Sequence, residues 1–154
     1  MSAIEQRLEE MGLRLPPAAA PAANYVPFVV SAGLIFISGQ LPIQGGGVAV
    51  RGRLGDGVSL EEGQSAARLC ALNVLAQAKA ATDGDLERIA RCVKLGGFVA
   101  CSPEFIDHPK VINGASDLIA RVMGEAGSHA RFAVGCPSLP LGAAVEVEAI
   151  FALR

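Results

Sequence analysis

Apolar and polar positions change period several times along the chain, and each change marks an element. Residues 1–15 set Ile4, Leu8 and Met11 among Glu5, Arg7, Glu9 and Glu10, the pattern of a short amphipathic helix. The Pro- and Ala-rich stretch 15–23 cannot continue that helix and reads as a connector, so residues 1–23 precede a core domain at 24–154. Residues 25–31 and 34–38 are β-rich runs parted by Ala32 and Gly33, the spacing of a tight hairpin. Residues 39–42 and the run Gly45, Gly46, Gly47 read as loop before a short strand near 48–50. Ser59 and Glu62 form a capping box ahead of small and apolar residues between Ala66 and Ala78, with Gly84 as the stop: a long core helix. Residues 87–100 alternate and then fill, which predicts a buried strand with a bulge at Gly96 and Gly97. Asp107 or His108 with Pro109 opens a second core helix carrying Val111, Ile112, Leu118, Ile119 and Val122, and Gly124 or Gly127 closes it. Residues 144–153 form the last strand. The order of hairpin, strand, helix, strand, helix and strand predicts an α+β sheet with both helices on one face.

Composition narrows the setting. A chain of 154 residues has room for one core domain. Its apolar fraction is 51% and only 18% of residues are charged, against a usual ~25%. No apolar run approaches the ~20 residues that span a bilayer, so the excess points to subunit contacts and a homo-oligomer rather than a membrane. A net charge of −2, one Tyr, no Trp and no basic cluster give no footprint for nucleic acid. The N-terminal helix has no signal-peptide core, so a cytoplasmic location is expected. Cys70, Cys92, Cys101 and Cys136 lack zinc-type spacing and the only histidines are His108 and His129, so reduced thiols and no metal are expected.

The C-terminal tail carries the candidate chemistry. Arg131 opens an otherwise apolar strand-like segment, and Glu146 and Glu148 lie inside the closing strand. Charges embedded in strands are costly unless paired. Two readings stand: a structural Arg–Glu pair, or a site in which a guanidinium fork holds a substrate carboxylate while a carboxylate handles protons or water. Two residues apart on a strand, Glu146 and Glu148 share a face.

Four motifs in order, Asn24-Tyr25-Val26, Ile37-Ser38-Gly39-Gln40-Leu41-Pro42, Asn113, and Ala130-Arg131 through Leu139-Pro140 to Val145-Glu146-Val147-Glu148, resemble the RidA/YjgF family over residues 24–154. The resemblance implies a chorismate-mutase-like α+β fold, mostly antiparallel, assembled as a homotrimer with clefts between subunits. It further implies hydrolysis of enamines and imines to 2-keto acids and ammonia, without metal or organic cofactor, on small carboxylate metabolites. The alternative is a non-catalytic module of the same fold that binds small carboxylates. By the same resemblance Arg131 binds the substrate carboxylate, Glu146 activates water, and Tyr25, Ser38 and Asn113 line the cleft. The family's active members usually have Ser and Cys where this chain has Phe132 and Ala133, and Phe132 is expected to alter packing near the site. Cys136 reads as a buried structural thiol, and His129 as either a loop residue or a contributor to cleft charge near neutral pH.

Overall fold

The computed structural model describes residues 1–21 and 23–154; Ala22, inside the connector, lies outside the described residues. Five strands form one sheet in the order β1 (Phe28–Ser31), β2 (Leu34–Gln40), β9 (Val145–Leu153), β7 (Ile89–Ala100) and β8 (Ala130–Cys136). All neighbours run antiparallel except β7 and β8. Between β2 and the long helix lie two minor pairs, β3 (Ile43–Gln44) with β4 (Gly47–Val48) and β5 (Arg53–Leu54) with β6 (Gly57–Val58). Helices α2 (Leu60–Ala81) and α3 (His108–Met123) cover one sheet face, as the apolar spacing predicts.

The alternation along each strand decides which face that is. Ile35 and Ile37 of β2, Leu95, Gly97 and Val99 of β7, and Val145, Val147, Ala149 and Phe151 of β9 are buried under the helices. The opposite face carries Phe36, Phe98, Phe132, Val134, Glu146, Glu148 and Ile150 and is largely uncovered. Phe36 and Val134 there are each more than two-fifths exposed, so this face leaves apolar surface open to solvent.

Local chemistry explains the helix limits. Ser59 accepts from the Glu62 backbone N–H while the Glu62 carboxylate accepts from that of Ser59, which satisfies two otherwise orphaned donors at the start of α2. Ser2 and Glu5 make the same box at α1 (Ala3–Glu10). Ile4 and Leu8, one turn apart, are buried, a contribution of about 1.5–3 kcal/mol each. Glu5 also pairs with Lys79 of α2, and Arg7 donates to the Val122 carbonyl near the end of α3. The first helix thus clamps the far ends of the two core helices.

Two sequence expectations need correction. The predicted bulge at Gly96 and Gly97 is absent: the register shifts in β7 fall between Ile89 and Arg91 and between Cys92 and Lys94. The two glycines serve packing instead. A Cβ on Gly96 would lie 2.5 Å from the Phe132 ring, and one on Gly97 would lie 2.6 Å from Ile112. The segment read as loop from Gly39 begins as strand, because β2 continues through Gln40 past a register shift against β9 between Ile37 and Gln40. Among the described residues no helix is long and apolar enough to cross a membrane.

Candidate functional site

Arg131 lies on β8, the edge strand, beside Leu95 in the parallel register, and therefore points to the helix side of the sheet. There its Nη1 donates to Asn113 Oδ1 at 2.9 Å and to Ser116 Oγ at 3.1 Å, and its Nη2 donates to the Pro109 carbonyl at 3.2 Å. Every acceptor comes from the first nine residues of α3. Ser116 is held in turn by His129, whose Nδ1–H donates to the Gly127 carbonyl at 2.6 Å, leaving Nε2 to accept from the Ser116 hydroxyl at 2.8 Å.

This arrangement fixes the guanidinium without neutralising it. Among the described residues Arg131 makes no ion pair with Asp or Glu. Three of its five N–H donors are used, and the Nε–H with one Nη2 N–H remain without a partner among the described residues. A half-buried, immobilised cation with two spare donors has the chemistry to take an anion, most favourably a carboxylate in bidentate contact.

A second cluster forms on the open face. Glu146 is half-buried and packs so closely on Gly39 that a Cβ there would lie 2.6 Å from its Oε1. Burial raises the Glu146 carboxyl above the usual range, and the neighbouring Glu148 charge adds to the rise. Glu148 shares the face, as strand alternation requires, and is exposed. Ser38 donates to the Val26 carbonyl at 2.8 Å and so pins the segment bearing Tyr25, whose side chain is exposed. A pocket of about 230 Å³ beside Gly39 is lined by Tyr25, Pro27, Gln40 and Leu141. Leu141 adopts φ 58°, ψ 17°, a left-handed conformation costly for a branched side chain, and is exposed at this rim.

The structure thus brings Arg131 to Asn113, and Ser38 to the Tyr25 segment near Gly39 and Glu146, but it does not join the two groups within one chain. Glu146 aligns with Phe98 and Arg131 with Leu95, on opposite faces and two strands apart, so their backbones are separated by about 14 Å. The structural reading of Arg131 and Glu146 as an ion pair within one chain is excluded. Phe132, by alternation, faces away from Arg131: its ring meets Phe98 edge-on at 5.3 Å and lies under Lys94 Nζ at 5.3 Å. It therefore shapes the open face and leaves the Arg131 surroundings alone. Sequence reasoning missed Ser116, the anchoring by His129 and Gly39. The first had a signal, since Asn113 and Ser116 are three apart and share a helix face.

Fold and site together define a small α+β protein with a fixed arginine, free of any ion pair among the described residues, on one sheet edge and a half-buried carboxylate of raised pKa on the open face. The chain belongs to the YjgF/chorismate mutase-like, putative endoribonuclease family, whose model matches residues 5–153. It is 51% identical to Protein TCP17 of Trypanosoma cruzi over 152 residues, covering 98% of this chain and 94% of that one. Among solved structures it resembles the protein Atu1372 of Agrobacterium tumefaciens, of unknown function, at 54% identity and a TM-score of 0.93, covering 99% of this chain and 93% of that one. It also resembles a putative endoribonuclease of Shewanella oneidensis at 38% identity and a TM-score of 0.95, covering 99% and 100%.

Proposed function

We propose that the protein is a hydrolytic deaminase of small 2-imino acids and their enamine tautomers, releasing 2-keto acids and ammonia. The observation that carries this reading is the fixed, uncompensated guanidinium of Arg131 with two spare donors. Those donors grip the substrate carboxylate and so place the adjacent imine carbon. Glu146, with its raised pKa, takes a proton from water as that water attacks the carbon, and returns it to the imine nitrogen to give a carbinolamine. The carboxylate then takes the carbinolamine's hydroxyl proton and passes it to the amine as the C–N bond breaks, leaving the keto acid and ammonia.

Because the two groups lie apart within one chain, the reading requires a homotrimer in which the Arg131 edge of one subunit faces the Glu146 surface of the next. The uncovered apolar face, with Phe36 and Val134 exposed, supports such an assembly. The ligand is a small carboxylate metabolite, and the chemistry calls for no metal or organic cofactor. A location in the cytoplasm suits reactive imines made by soluble enzymes. An RNA substrate, which the family description suggests, fits poorly with a net charge of −2 and one Tyr.

The test supplies imines in situ from an amino acid oxidase and follows keto acid formation with and without the protein. Acceleration that disappears in Arg131→Ala supports the reading. Binding of keto acid without acceleration would instead leave a non-catalytic carboxylate-binding module.

A further inference from the structure

At the far end of β7 from the hairpin, a pocket of about 450 Å³ is walled by Arg53, Cys101, Phe105, His108, Cys136 and Pro137. The deaminase chemistry uses none of these residues. The Cys101 Sγ lies 3.4 Å from His108 Nε2, within reach of an S–H···N contact. Both groups are held from several sides. Cys101 donates its backbone N–H to the Cys136 carbonyl at 3.0 Å, and the His108 ring, on the first residue of α3, meets Phe105 edge-on at 5.3 Å.

Gly135 on β8 keeps the contact open. A Cβ there would lie 2.5 Å from His108 Nε2 and 2.6 Å from Cys101 Sγ, so no other residue fits while thiol and imidazole touch. Among the described residues the remaining thiols have no such base: Cys70 and Cys136 have only carbonyl partners, and burial pushes the Cys70, Cys92 and Cys136 thiols up, Cys92 to about 12. Phe105, Pro103 and Pro137 give the pocket an apolar wall suited to a carbon skeleton, and Arg53, paired with Asp56, also lines it.

We propose that Cys101, with His108 as its proton acceptor, is a second reactive site that adds to small α,β-unsaturated carbonyl compounds. The thiol proton moves to Nε2 as sulfur bonds to the β-carbon. The alkene π pair shifts onto the α-carbon and carbonyl oxygen, and the imidazolium then delivers its proton to the α-carbon. The product is a saturated thioether, with nothing expelled and no oxidant consumed.

The site is tested with limiting methyl vinyl ketone on the assembled protein, followed by peptide mass spectrometry that scores each cysteine in the same sample. Cys101 is expected to react roughly tenfold or more faster than Cys136, Cys92 or Cys70. Preferential labelling of any other cysteine in the wild-type protein overturns the proposal without recourse to variants. His108→Gln removes the base, and Gly135→Ala keeps both groups but forces a methyl between them; each should slow Cys101 by roughly tenfold or more. Continued protection of Cys70 shows that a variant is folded, and an undiminished Cys101 rate in a folded His108→Gln protein overturns the role of the imidazole.

Discussion

Gly114 joins the fold to the site, and Gly114→Ala is expected to damage both. The position lies inside α3 without a positive φ, so local propensity alone would favour Ala by about 1 kcal/mol. Tertiary packing reverses the sign. The added Cβ would lie 2.1 Å from the Gln64 carbonyl oxygen on α2, and 2.9 Å from the carbonyl carbon. The obstacle is backbone and cannot rotate away, so the helices must part by about 1 Å, a gap that forfeits a quarter to a half of each contact energy across it. Overpacking of this kind costs about 1–3 kcal/mol, and with backbone as the obstacle the cost falls near the top of that range, so a net loss of about 1–2 kcal/mol remains after the propensity gain. Asn113 and Ser116 ride on the same stretch of α3, so the cradle of Arg131 shifts as well. Urea unfolding at fixed protomer concentration should show the midpoint falling by about 0.5–1 M, taking an m-value near 2 kcal/mol/M. Gly47→Ala, where a Cβ meets nothing within 4 Å, is the control and should be neutral. An unchanged or higher midpoint for Gly114→Ala would refute the argument that close helix approach, rather than chain entropy, requires glycine there.

Four further outcomes are expected. Arg131→Lys retains the charge but not the fork, so imine hydrolysis should fall by about 10²-fold while circular dichroism and the number of subunits in the assembly stay unchanged. Glu146→Gln should lower turnover by about 10²-fold with little effect on keto acid binding, and Glu148→Gln should do less; a larger loss at Glu148 would shift the water-activating role by two residues. Because folding raises the Glu146 pKa, its ionised form opposes folding. Glu146→Gln should therefore be more stable than wild type at neutral pH, with the difference shrinking as pH falls through that pKa. Glu5 shows the opposite sign: its hydrogen bonds to Lys79 and Ser2 lower its pKa from 4.5 to about 2. That stabilisation is complete above 4.5 and lost as pH falls toward 2. Since Lys79 is 41% exposed, Glu5→Gln should cost only about 1 kcal/mol at pH 7, with the thermal melts converging in acid.

Where the sequence alone sufficed, the signal was local and periodic. The Ser59–Glu62 box starts α2, Pro109 sits in the first turn of α3, and the alternation from Val145 to Phe151 assigns Glu146 and Glu148 to one face, because each depends on neighbours within a few residues. The motifs around Arg131 and Glu146 likewise marked both charged residues as candidates. Tertiary structure decided what needed two distant segments at once. Gly96 and Gly97 look like a bulge in sequence, but they are glycine because Phe132 and Ile112 press on them from opposite faces. Gly39 looks like a turn residue, but its missing side chain makes room for the Glu146 carboxylate. The separation of Arg131 from Glu146 follows from the strand order β2, β9, β7, β8, which no local pattern encodes. Period and capping fix which way a side chain points along its own element. Only the pairing of elements fixes what it meets there, because that contact energy belongs to residues remote in the chain.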